Sequence, residues 1–334
     1  MNQQKIKWGI LGCGRIARKF AADLRLVADG ELIAIASRST KTAATFANDF
    51  PCTYIHDSYE ALAANKEVDV IYIATPHSHH YEHTMLCLQQ HKAILCEKAF
   101  AINSNQAREM IATARDKKVF LMEALWTKFL PHYNKLQELI NQKILGDIKS
   151  VLVNFGFKLA PDAPKRLLDP ALGGGTLLDI GVYNVFITLS VLGKPDSIDA
   201  VMIPATTGID EQLSVVFNYK TGAIAQLFSS FTTNLPIQAE INGTEACITL
   251  STRFYEPSAT IQLYKQVAGK KQIIAVEKEA GFGYQYEARH VNDCLKKGLT
   301  ESPVMTHADS LLLMETMDEI RRKAGIYYPV DKQG

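Results

Sequence analysis

The chain has 334 residues, 47% of them apolar and 21% charged, with a formal net charge of +1. That length predicts two domains whose cores need neither disulfides nor metals, and the near-neutral charge gives no broad field to draw in nucleic acid or a membrane surface. Six scattered cysteines (Cys13, Cys52, Cys87, Cys96, Cys247, Cys294), with no CxxC pair, read as reduced core residues of a cytoplasmic protein.

In chain order, residues 6–11 predict a strand, with no secretory apolar region before it. Residues 15–26 predict a helix with Ile16, Ala17, Phe20 and Leu24 on one side. A strand (31–37), a helix (40–49), a continuous apolar strand (68–75), a helix (81–90), a strand (93–97), a helix (104–117) and a strand (119–123) follow. This alternation predicts a doubly wound parallel sheet. After Glu123 the pattern changes. A helix at 132–143 leads to a strand in which Val151, Val153, Phe155 and Phe157 alternate. The most apolar stretch lies near 176–193; it carries Asp179 and Asn184 and reads as a helix over 176–192 too short to cross a membrane. Strands are expected at 197–203, 212–219, 223–231, 237–241 and 260–267, with a hairpin turn at Lys220-Thr221-Gly222. Helices at 285–297 and 308–323 close the chain. The fold expected is α/β: a Rossmann domain over 1–123, then an α+β domain over 124–334 built on a mostly antiparallel open sheet.

Gly12-Cys13-Gly14-Arg15-Ile16-Ala17 fits GxGxxA between a strand and a helix, the context a dinucleotide site requires. Gly12 permits the tight turn, Gly14 lets the backbone approach a pyrophosphate, and Ala17 lets helix and sheet pack closely. The helix start at Arg15, Ile16 and Ala17 offers free N–H groups and a positive dipole end to phosphates. The second strand runs into Ser37-Arg38-Ser39 with no carboxylate for a ribose 2′-hydroxyl. The Arg38 guanidinium, assisted by serine hydroxyls, suits a 2′-phosphate instead, so NADP is the expected cofactor, with use of NAD left open.

Thr75-Pro76-His77-Ser78-His79-His80 ends the fourth predicted strand and Glu97-Lys98 the fifth, both at the carboxyl edge where ligands of open α/β sheets bind. This places Lys98 beside the nicotinamide. Asp179 and Tyr183, four apart after Gly173-Gly174-Gly175, are expected on one helix face. An ammonium lowers the pKa of a nearby phenol and fits it to take a hydroxyl proton while hydride leaves carbon. No metal is expected: His79 and His83 are i,i+4, but acidic or cysteine partners at zinc spacing are not evident.

Glu97-Lys98, His80, the segment from Glu123 through Trp126 to Pro131, and the Asp179/Tyr183 pair together resemble the glucose–fructose oxidoreductase / inositol dehydrogenase (Gfo/Idh/MocA) family. The Trp126 and triple-glycine segments are most similar to its branch of dimeric dihydrodiol dehydrogenases and NADP-dependent D-xylose dehydrogenases. The resemblance implies hydride transfer between a nicotinamide and a sugar, polyol or vicinal diol, with Lys98, Asp179 and Tyr183 catalytic. It also implies cofactor contacts from Thr75, Pro76, His80 and Glu97, a substrate pocket lined by Trp126, Phe155, Arg166 and Phe282, and a homodimer formed through the C-terminal sheet. One departure stands out: the family's Glu-Lys-Pro reads Glu97-Lys98-Ala99 here, so the Lys98 loop is expected to be less constrained. Two alternatives remain open, a non-catalytic NADP-binding redox sensor and an NAD-dependent inositol-type dehydrogenase. The latter usually has a histidine at the Tyr183 position and an acid after the second strand.

Overall fold

The computed structural model describes residues 5–265 and 269–332. The chain divides into two units, Met1–Phe129 with Glu279–Leu311, and Leu130–Lys278 with Leu312–Gly334.

The first unit holds strands β1 (Ile6–Leu11), β2 (Gly30–Ala36), β3 (Tyr54–His56), β4 (Val70–Ile73), β5 (Ala93–Glu97) and β6 (Leu121–Ala124), interleaved with helices α1 (Arg15–Leu24), α2 (Thr40–Asp49), α3 (Tyr59–Ala64), α4 (His80–Gln89) and α5 (Ser104–Lys117). The sheet is parallel throughout, in the order β3-β2-β1-β4-β5-β6. The strand order therefore reverses between β1 and β4, which opens a crevice at their carboxyl ends. Both faces are covered, so β4 and β5 are buried at every position, and a strand buried on both sides reads as a plain apolar run. β3 and α3 were not expected. β3 is a three-residue edge strand with two exposed residues, too short to show a period. α3 starts at Ser58, whose side chain accepts from the Ala61 N–H.

In the second unit, helix α6 (Pro131–Asn141) precedes strand β7 (Ile148–Gly156), and the expected helix over 176–192 divides into a π-helical turn (Leu177–Gly181) and α7 (Val182–Leu192). Strands β8 (Ser197–Pro204), β9 (Asp210–Asn218), β10 (Ile224–Ser230), β11 (Gln238–Gly243), β12 (Ala246–Ser251), β13 (Thr260–Lys265) and β14 (Lys270–Ile274) complete an eight-stranded sheet. Its order is β14-β13-β12-β11-β7-β10-β9-β8. Only the β7/β10 pair is parallel. β12 and β14 were missed, and residues 266–267 of the strand expected over 260–267 lie outside the described residues. The inner face carries Val151, Val153, Phe155, Leu213, Val215, Phe217, Ala225 and Leu227, all buried, and its strands β7 and β10 pack against α7. Counted with the turn before it, Pro170–Leu192 has 23 residues, long and apolar enough by length and composition to cross a membrane, but Gly173 and Gly175 at φ +70° and +101° interrupt it, and its continuous helical part is the expected 176–192. It is a core helix, with 78% of its most apolar window buried. The opposite face of the sheet exposes Val201 and Ile224 among polar neighbours such as Asp199, Gln226 and Asn218.

The contiguous plan of 1–123 and 124–334 needs correction, because the chain returns to the first unit. Helix α8 (Tyr284–Lys296) packs against α1, Asn292 Oδ1 accepts from the Trp8 indole at 3.0 Å, and Glu301 bridges to Leu121 at the edge of the sheet. The last helix, α9 (His307–Ala324), starts in the first unit. Such pairings over some 280 residues leave no trace in local periodicity.

Candidate active site

The carboxyl edge of the first sheet gathers most of the expected cofactor residues. Gly12 sits at φ +98°, and a Cβ there would lie 3.1 Å from the Ala74 carbonyl oxygen. Glycine is thus required both by conformation and by the close approach of β4's end. Gly14 caps α1 without a side-chain partner, and the space a Cβ would fill beside it is open. Arg15, Ile16 and Ala17 follow as the first helical residues, with Ala17 fully buried against the sheet.

At the end of β2, Ser37 is buried and Arg38 exposed. The Ser37 hydroxyl accepts from the Ser39 N–H at 3.3 Å. Ser39, expected to assist at the phosphate, caps α2 by accepting from the Thr42 N–H at 3.2 Å. Its acceptor side is committed to the helix, while a hydroxyl proton stays available to donate. The Arg38 guanidinium stands beside Tyr59 and opposes the rise that burial gives its phenol pKa; sequence reasoning passed over Tyr59 because α3 was not foreseen.

At the β4 and β5 ends the lysine loop is tied down. Glu97 is buried and accepts from the Tyr72 hydroxyl; its second oxygen accepts from the Lys98 N–H at 3.2 Å. The His80 ring is fully buried, with Nδ1 2.8 Å from the Ala99 carbonyl oxygen and Nε2 2.9 Å from that of Thr75. Burial holds its pKa down to about 4, despite both carbonyls. At neutral pH one nitrogen therefore donates, and the other faces its carbonyl without a proton. Ala99, Phe100 and Ala101 are fully buried, and the Lys98–Ala99 peptide is cis. The expectation of a loosened loop is corrected: His80 and this buried run fix what proline was expected to fix. Pro76 leads into the turn that starts at buried His77.

Trp126 is buried and stacked on Tyr284 at 4.5 Å, nearly parallel. Phe282, half exposed, has its N–H held by the Asp23 carboxylate, as does Tyr284. The statement that His79 and His83 lack an acidic partner is also corrected, since Glu82 stands beside both.

The second unit assembles the other set. Asp179 lies in the π-helical turn, a device frequent at functional sites, and accepts from Arg166 Nη1 at 3.1 Å. Tyr183 follows in the first turn of α7, buried, its ring 4.7 Å from Tyr255 and 6.0 Å from Phe155. Tyr255 stacks on Phe155 at 4.5 Å. It belongs to this aromatic group but lies in an irregular segment whose sequence gave no signal. Asp210 holds the turn from behind, accepting from the Thr176 hydroxyl at 2.6 Å and the Leu177 N–H at 2.7 Å. The Tyr328 hydroxyl donates to the Gly174 carbonyl. An acid paired with guanidinium, a phenol and stacked rings can bind and orient a polyhydroxylated or cyclic substrate.

Residues 6–125 match the profile of the Gfo/Idh/MocA oxidoreductase family, described as an NAD-binding Rossmann fold, and residues 133–249 that of its C-terminal domain. The trans-1,2-dihydrobenzene-1,2-diol dehydrogenase of Xenopus tropicalis is 38% identical, covering 97% of this chain and 99% of its own. The Homo sapiens protein of that name is 36% identical, with 98% and 99% covered. Among solved structures, KijD10, a 3-ketoreductase from Actinomadura kijaniata in complex with NADP and TDP-benzene, superposes with a TM-score of 0.87 at 25% identity, covering 98% of this chain and 100% of that one. An aldose-aldose oxidoreductase from Caulobacter crescentus shares the fold at 21% identity and TM-score 0.87, with 96% and 98% covered.

Burial pushes the Glu97 carboxyl up to about 7, against the opposing pull of the Tyr72 hydroxyl and the Lys98 ammonium. The folded state thus holds this proton more tightly than the unfolded chain, whose carboxyl titrates near 4.5, and ionisation costs stability as pH rises between those values. Glu97→Gln has no proton to lose. Its melting temperature relative to wild type should therefore rise between pH 5 and pH 7.5. Thermal melts of both proteins across that range check this, and a constant difference contradicts it.

Proposed function

The chain belongs to the Gfo/Idh/MocA family of oxidoreductases, and on that premise we propose an NADP-preferring dehydrogenase moving hydride between the nicotinamide and a carbinol carbon of a sugar, polyol or vicinal diol. The observation that carries the cofactor choice is the end of β2, where an exposed arginine between two serines stands in place of an acid. The family relatives named for a dihydrodiol support the substrate class.

In this reading the first turn of α1 receives the pyrophosphate through unpaired backbone N–H groups, and Arg38 with the hydroxyls of Ser37 and Ser39 receives the 2′-phosphate. The bound nicotinamide supplies the hydride acceptor or donor. Lys98 in the first unit and Tyr183 in the second are the proposed proton-transfer groups, Asp179 positions substrate through its bond to Arg166, and Trp126 and Phe282 of the first unit and Phe155 of the second are each proposed to contact substrate. His80 acts on Lys98 through the Ala99 carbonyl. A cytoplasmic location is supported by six cysteines present as free thiols. A homodimer through the outer face of the eight-stranded sheet is supported by Val201 at 64% and Ile224 at 46% exposure, on the two strands that flank β9.

Arg38→Ala should raise KM for NADP at least tenfold more than KM for NAD, measured by absorbance of the reduced cofactor; equal changes contradict the assignment. Lys98→Met and Tyr183→Phe should each lower kcat by about 10²–10⁴-fold, with the double variant little worse than the worse single one because residues acting as a unit are not additive. If Tyr183→Phe keeps the wild-type pH profile and loses less than about threefold, the phenol does not carry the proton. Light scattering at micromolar concentration should give twice the chain mass, and Val201→Asp should shift it to the monomer.

A further inference from the structure

We propose that His79, Glu82 and His83 form a binding site for a divalent transition ion of the zinc class, separate from hydride transfer. All three belong to the start of α4: His79 is its cap, and Glu82 and His83 follow three and four residues later, on the same face. Their ligand atoms lie within 4.8 Å of one another. Glu82 Oε1 is 2.6 Å from His79 Nδ1 and 3.4 Å from His83 Nε2.

Those distances are close to what a metal demands. Bonds of about 2.0–2.2 Å in tetrahedral geometry put neighbouring ligand atoms roughly 3.3–3.5 Å apart. The Glu82–His83 edge already has that length. The Glu82–His79 edge must open by under about 1 Å by the same criterion; Glu82 is exposed and His79 partly so, which leaves room for the adjustment. The two imidazole rings lie stacked at 5.5 Å, tilted by 25°, so the His79 ring must turn for the in-plane lone pairs of both rings to meet at one ion.

The buried member is also oriented as a ligand. His83 Nδ1 lies 3.0 Å from the Thr75 hydroxyl, and the Tyr59 ring meets its face edge-on at 4.6 Å. A hydrogen-bonded second nitrogen fixes the tautomer and aims the first at the ion, as in established histidine sites. Two imidazoles and one carboxylate select Zn²⁺, Co²⁺ or Ni²⁺ over Mg²⁺ or Ca²⁺, which require oxygen ligands. Glu82 is more than half exposed, which gives the ion an entry path and leaves a coordination position to water.

The test uses the full chain stripped with a chelator at pH 7.5, titrated with Zn²⁺ and with Co²⁺. Wild type should bind one ion of each per chain, and Co²⁺ should show visible absorption of tetrahedral or five-coordinate intensity. Glu82→Gln and His79→Gln should each weaken Zn²⁺ binding at least tenfold, with metal-free melting temperatures within about 2 °C of wild type confirming the fold. The free thiols Cys52 and Cys247, both partly exposed, are the competing soft sites. Zn²⁺ binding that is equal in wild type and the His79→Gln/Glu82→Gln double variant, or no binding in wild type, overturns the proposal.

Discussion

A buried column of side chains fixes the cofactor edge of the first unit. Trp8 packs on Phe20 at 5.2 Å, Phe20 stacks on Tyr72 at 3.8 Å, the Tyr72 hydroxyl donates to Glu97, and Glu97 accepts from the Lys98 N–H. Phe20 belongs to α1, Tyr72 to β4 and Glu97 to β5. The column therefore links the helix that follows the glycine turn to the loop that carries the lysine. Because Phe20, Tyr72 and Glu97 are shielded from water, each polar contact along it is enforced: an unmet hydroxyl or carboxyl at that depth costs about 1–3 kcal/mol. The N-terminus of α1 and the Lys98 loop are thereby held in one rigid frame, the kind of fixed arrangement that preorganised electrostatics requires.

The same reasoning explains how the chain dispenses with proline after Lys98. A proline ring would restrain φ locally. Here the restraint is tertiary: His80 reaches the Ala99 carbonyl from the preceding crossover, and three buried residues follow the lysine. His80 can do this as a neutral ring because burial holds its pKa near 4. The charge of the loop therefore rests on Lys98 and on the partial ionisation of Glu97.

How much of this was legible in the sequence follows from the range of the interactions. Gly12, Gly14 and Ala17 declared the turn because a backbone conformation needs those residues locally, and the uniformly apolar β4 and β5 declared a parallel sheet because both their faces are covered. The end of β2, where Arg38 stands exposed and no acid follows, was placed by the same local pattern. β3 and β14 were not, being short or exposed at sheet edges, where packing imposes no period. The π-helical turn at Leu177–Gly181 was hidden because its apolar residues fit an α-helix equally well. Tyr72, Tyr255, Tyr284 and the return of 279–311 to the first unit depend on partners far away in sequence.

Two carboxylates show why such long-range anchors matter to the site. Asp23, in α1, accepts from the N–H groups of Phe282 and Tyr284; Asp210, at the start of β9, accepts from Thr176 and the Leu177 N–H. Both look like surface acids in a one-dimensional reading, and both are buried. Each holds a segment with few backbone partners of its own: the loop that presents Phe282, and the turn that presents Asp179. Burial alone would protonate them, and it does push both pKa values upward, that of Asp210 to about 6. The backbone N–H groups oppose that push, because a carboxylate accepting several N–H bonds is stabilised in its charged form. A loop gripped in this way keeps a defined conformation without secondary structure, so aromatic and acidic groups can be aimed from irregular backbone.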